Sequence, residues 1–349
     1  MEVLLTLFYL SGGLFLGFTL GANNMSSLFG TAVGTKMVSF KKAAFFACVF
    51  VFLGAVFGGK GTSQTLEELG SVSSLVGAFV VSFTAALTLF MMTRVGVPVS
   101  ATQSIVGALL GWNLYAHTDV NVGVLGKIIG VWFVSPLLAC LFAFIIMILL
   151  RAYLRKYPIR MLYQDAYTRL GLILAGSFAS YAFGANNIGN VMAPFLSVVS
   201  LPKMNLVFLS LSSMQLLFLI GAVAICVGII TYSAKAIKTV GNGILKMSPT
   251  EAFVVVLAHG LVLVLFSSTL LRDFLLSCHL PSIPLVPISS SGAIVGAVIG
   301  VSLLKRCHGV SFREVFRVIR GWFLTPLMAL GLCWGMLFFM ERVFLQRVF

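Results

Sequence analysis

Gly21-Ala22-Asn23-Asn24 recurs as Gly184-Ala185-Asn186-Asn187. Each copy closes the first apolar segment of its half of the chain. Two adjacent side-chain amides are unwelcome on a helix facing lipid, because an unpaired amide in hydrocarbon costs several kcal/mol. The pairs therefore read as breaks in two membrane segments, followed by short re-entrant stretches over 22–35 and 185–200. Membrane folds built from repeats place their substrate where such broken segments meet.

Outward from this pair, two further markers recur in the same order. Val97-Pro98-Val99-Ser100-Ala101-Thr102-Gln103-Ser104-Ile105-Val106-Gly107-Ala108 answers Val286-Pro287-Ile288-Ser289-Ser290-Ser291-Gly292-Ala293-Ile294-Val295-Gly296-Ala297. Trp132-Phe133-Val134-Ser135-Pro136-Leu137 answers Trp322-Phe323-Leu324-Thr325-Pro326-Leu327. Three markers in register predict a duplicated chain of about twelve segments. The first repeat covers 1–150, a linker 151–167, and the second repeat 168–349.

The composition fits. Hydrophobic residues make up 60% and charged residues 9%, with a mean hydropathy of +1.09. Residues 125–150, 205–232, 251–271 and 321–340 are each long enough to cross a bilayer, which takes about 20 apolar residues. Segment 3–20 reads as a span and not as a cleaved leader. The fold class is thus an all-α polytopic membrane protein, an inverted repeat of two six-segment halves with broken or re-entrant helices.

The net charge of +14 does not indicate a nucleic-acid partner, because the charges lie in short loops between apolar segments. With 151–169 taken as cytoplasmic, seventeen of the 23 Lys and Arg fall inside and six outside. That bias sets orientation by the positive-inside rule. Each half then makes an odd number of crossings, so the halves point opposite ways. Both termini come out external, with the protein in the plasma (inner) membrane and homo-oligomers left open.

Several chemistries find no residues. The chain has no phosphate-binding P-loop, no nucleophile with its base, and no paired acids at useful spacing. Cysteines at 48, 140, 226, 278, 307 and 333 lack metal-ligand spacing, so neither a disulfide nor a thiolate metal site is expected. An enzyme is disfavoured on these grounds, and no cofactor is expected. A channel is disfavoured because the polar residues cluster and do not line a continuous path. His259 alone lies deep in an apolar segment, where a satisfied packing role is commoner than a proton relay.

The two Pro-x-Ser segments read as an anion cradle. Proline disfavours helix before itself, and a helix restarting after Pro98 or Pro287 offers free N–H groups beside hydroxyls. Ser100, Thr102, Gln103 and Ser104 come from one copy, and Ser289, Ser290 and Ser291 from the other. Small-residue packing hydroxyls are the plainer alternative. Asn23, Asn24, Asn186 and Asn187 offer hard neutral oxygens suited to Na+, or else cap the broken helices.

Together with Lys235–Pro249, these motifs resemble the inorganic phosphate transporter (PiT) family over nearly the whole chain. The resemblance implies an inverted repeat with two hairpin-like substrate elements. It implies transport of phosphate, or in some bacterial relatives sulfate, with Na+ or H+. The family pattern reads Gly-Ala-Asn-Asp, whereas Asn24 and Asn187 stand at both Asp positions here. Gln103 stands where many members have His, and Gly292 where the second copy often has Thr. The expected function is a cation-coupled secondary transporter of a tetrahedral oxyanion, phosphate ahead of sulfate, working by alternating access. An uncoupled exchanger or channel is the alternative.

Overall fold

A computed structural model describes residues 2–94, 99–157, 161–206, 209–234, 247–305 and 312–349. In the first half, α1 (Glu2–Met25) continues through a π-helical turn (Ser26–Gly30) into α2 (Thr31–Gly34). There follow α3 (Phe40–Gly58), α4 (Lys60–Leu69), α5 (Leu75–Arg94), α6 (Ala101–Ala116) and α7 (Val122–Lys156). The second half holds α8 (Met161–Leu196), a small antiparallel hairpin of β1 (Met204–Leu206) and β2 (Leu209–Leu211), and α9 (Ser213–Thr231). It ends with α10 (Pro249–Ser267), α11 (Thr269–Ser277), α12 (Ser290–Leu303) and α13 (Phe312–Arg342). Among the described residues, seven helices are long and apolar enough to cross a membrane. The chain is an all-α polytopic membrane protein, and the core between its helices is apolar. Of the motifs singled out above, Val97, Pro98 and most of Lys235–Pro249 lie outside the described residues.

The breaks expected at the two Asn pairs are absent. Helix runs through both tetrapeptides, so 22–35 and 185–200 are not separate re-entrant segments. The reason is local. Asn24 Nδ2 donates to Leu20 O and Asn187 Nδ2 to Phe183 O, each at 3.0 Å and one turn back. An amide satisfied on its own helix has no need to break it. The breaks fall instead before the two short helices. Ser100 and Ser289 are extended N-caps of α6 and α12, and the chain through Pro287 is irregular up to Ser289. The stretch expected as a linker is helical at both ends, with α7 reaching Lys156 and α8 starting at Met161.

The halves pack reciprocally. α1 packs on α9 and α5, as α8 packs on α3 and α10. α6 packs on α13, as α12 packs on α7. The repeated glycines sit at these crossings. A Cβ on Gly21 would strike the Ile225 carbonyl, and one on Gly184 the Val51 carbonyl. Gly228 and Gly54 meet their partners' backbones in the same way. Gly107 lies against Pro326 and Gly296 against Pro136, so the second marker of each half seats on the third marker of the other. Both prolines stand inside long helices, where the ring removes a donor and leaves a carbonyl one turn back without its usual bond. Small residues let such helices approach closely in lipid.

Candidate functional site

The extended segments before α6 and α12 come together deep in the structure. Thr102 Oγ1 donates to Ile288 O at 3.0 Å and so ties one Pro-x-Ser segment to the other. Asn186 Oδ1 accepts from Ile288 N at 3.2 Å. One helical turn along α8, Asn190 Nδ2 donates to Thr102 Oγ1 and to Asn187 Oδ1, each at 3.0 Å. Ser289 Oγ caps α12 by accepting from Gly292 N at 3.1 Å and lies 3.2 Å from Ser291 Oγ. His259 on α10 places Nε2 2.9 Å from Ser290 Oγ. These side chains are buried except that of Ser291, which is half-buried.

The polar atoms left over matter most. Ser100 Oγ, Gln103 Nε2 and Oε1, Asn186 Nδ2, Asn190 Oδ1 and His259 Nδ1 are buried without a protein partner. A buried unsatisfied polar atom costs about 1–3 kcal/mol, and native structures keep few of them. Six such atoms lie on residues of, or adjoining in sequence, one bonded cluster, which makes it the candidate for a polar occupant. Hydroxyl and amide N–H groups can meet an anion. Asn190 Oδ1 and Gln103 Oε1 are neutral hard oxygens that fit Na+. Among the described residues no group of three or more His, Cys, Asp or Glu could hold a metal ion.

Other expected residues lie apart. Ser104 Oγ donates to Ala85 O at 2.8 Å, a bond that packs α6 on α5. Asn23 Nδ2 reaches Thr93 Oγ1 at 3.1 Å on a more open face, and among the described residues the Asn24 side chain bonds only its own helix. Asn190 was not anticipated. Its signal is the spacing Asn187-x-x-Asn190, which puts both amides on one face once helix is allowed to continue. A cavity of about 580 Å³ lies away from the cluster, among Tyr153, Tyr163, Tyr167 and Phe253.

This architecture has known counterparts. The model of the Phosphate transporter family matches residues 20–168, 162–272 and 278–348.

The chain belongs to the phosphate transporter family.

Family membership makes this chain a membrane transporter and not an enzyme. A protein of Methanocaldococcus jannaschii, provisionally named a phosphate permease, is 26% identical over 316 residues, with 90% of this chain and 91% of that protein covered. A Thermococcus kodakarensis protein of the same provisional name is 24% identical over 402 residues, covering 91% and 93%. A solved structure described as the sodium-dependent phosphate transporter shares the fold, with a TM-score of 0.76 at 21% identity over 98% of this chain and 100% of that one.

Proposed function

We propose that this chain carries inorganic phosphate across the plasma (inner) membrane together with Na+, by alternating access. The observation that carries the reading is the neutral cluster around Thr102, Asn186 and Ile288, with its unpartnered donors on Ser100, Gln103 and Asn186. Neutral donors bind an oxyanion without the grip of a fixed positive charge, which suits release. Burial of Thr102, Asn186, Asn190 and Ser290 supports alternating access over a channel, because a buried site must change shape to load and unload. Sulfate has the same shape, and the relatives' names favour phosphate. Na+ is held by amide oxygens, Asn190 Oδ1 foremost, without the Coulomb attraction of a carboxylate.

Proteoliposome uptake of labelled phosphate tests this. Uptake saturates, concentrates phosphate and requires an inward Na+ gradient. Asn187→Asp lowers the Na+ concentration for half-maximal uptake about tenfold, the effect of ~1.4 kcal/mol. Asn24→Asp has a smaller effect, because among the described residues Asn24 makes no bond to the cluster, whereas Asn187 accepts from Asn190. Uptake indifferent to Na+ in all three proteins removes Na+ from the mechanism and leaves anion exchange or proton coupling through another group.

The reciprocal packing and the seventeen-to-six charge bias support an inverted arrangement, with both termini external and 151–169 cytoplasmic. In intact cells, a membrane-impermeant thiol reagent labels Glu67→Cys and spares Lys156→Cys. The reverse pattern rejects the orientation.

A further inference from the structure

Among the described residues, the cluster contains one ionisable side chain. His259 is fully buried on α10, its Nε2 2.9 Å from Ser290 Oγ and its Nδ1 without a partner. The charged groups on the elements packed on α10 lie at exposed or half-buried positions. On α8, Asp165 and Arg169 pair with each other at 3.1 Å in exposed positions, and Tyr163, Tyr167 and Tyr181 are exposed. On α7, Lys127, Arg155, Lys156 and Tyr153 are exposed, and Arg151 and Cys140 half-buried. On α4, Lys60 and Glu68 are exposed and Glu67 half-buried. The π-helical turn, α2 and α12 carry no charged residue. At the start of α10 itself, Glu251 is held by Lys305 at 2.6 Å.

We propose that His259 is a proton-binding member of the oxyanion site, so that a proton and phosphate are bound together; this rests on the phosphate reading above. An anion arriving beside Ser290 favours the cationic form of a nearby imidazole. The proton taken up joins the free Nδ1, and both ring nitrogens then donate. Ser290 Oγ accepts from Nε2–H, which turns its own O–H toward the anion. When phosphate leaves, the ring loses its counter-charge and returns the proton. Asn24 and Asn187 cannot titrate, so His259 supplies a proton route that the Asn pairs lack.

Two measurements test the proposal. Phosphate uptake is compared across pH for the parent and His259→Gln, with His259→Asn as a second replacement should Gln disturb folding. Phosphate's own titration affects all of them alike, so the comparison isolates the ring. Protonation favours binding. The parent's affinity advantage over the variant is therefore greatest at low pH, and falls up to about tenfold per pH unit as the ring deprotonates. The second measurement needs no change at His259. The chain has four histidines. Replacing His117, His279 and His308 by Gln leaves a single ¹⁵N-labelled imidazole, whose two ring-nitrogen signals shift to the imidazolium pattern on adding phosphate. Matching pH profiles in parent and variants, or a ring that stays neutral when phosphate is bound, overturn the proton role. A parent that takes up no phosphate at any pH overturns the phosphate reading itself.

Discussion

Asn186→Leu abolishes phosphate uptake while the protein remains folded. Leucine nearly matches asparagine in shape, so packing on α8 is kept. Two things are lost. Ile288 N, buried between the repeats, loses its acceptor at a cost of about 1–3 kcal/mol. The unpartnered Nδ2, the donor assigned to the anion in the proposed function, is lost as well, at a similar cost. Together they weaken transport by roughly 100-fold or more, since each 1.4 kcal/mol is tenfold. The repeat mate is the control. Asn23 bonds Thr93 and makes no bond to the Pro-x-Ser segments among the described residues, so Asn23→Leu leaves most of the uptake. Initial uptake rates on equal amounts of monodisperse protein decide the matter. Equal losses in the two variants would mean that the site is symmetric and not centred on the second repeat.

Gly54→Leu leaves little folded protein. A side chain there runs into the Tyr181 backbone, and backbone cannot swing aside as a side chain can. Overpacking costs about 1–3 kcal/mol where neighbours can move, and more where two helix axes must separate. Gly228→Leu does the same at the matching crossing, against Phe18. Gly331→Leu on α13 is tolerated, because no heavy atom lies within 4 Å of its would-be Cβ. Detergent-extracted yield on size exclusion and thermal midpoint measure all three. Normal yield from Gly54→Leu would mean that α3 and α8 do not meet as closely as described.

The fold was legible because bilayer thickness and three repeated motifs constrain it strongly. The candidate site was legible in part. Thr102, Ser289 and Asn186 fall together because proline and paired amides mark places where backbone groups need unusual partners. The breaks were misplaced because an Asn can bond its own helix one turn back, which a motif cannot reveal. Asn190 escaped for the same reason, since its partnership with Asn187 exists only on an unbroken helix. Ser104 shares a motif with Thr102 but points to α5, and that choice depends on a helix distant in sequence only by a loop.

The reciprocal seating of the markers has a consequence for biosynthesis. Gly107 needs Pro326, and Pro136 needs Gly296, so the nascent first half enters the bilayer with its tightest contact faces unmatched. Ribosomes add about 5–20 residues per second, so those faces meet only lipid for roughly 10–40 s. Through that interval the first half is a set of inserted helices awaiting their complements. Assembly of this crossing is thus timed by the emergence of α13, and a chain cut short before α13 leaves α6 without its seat.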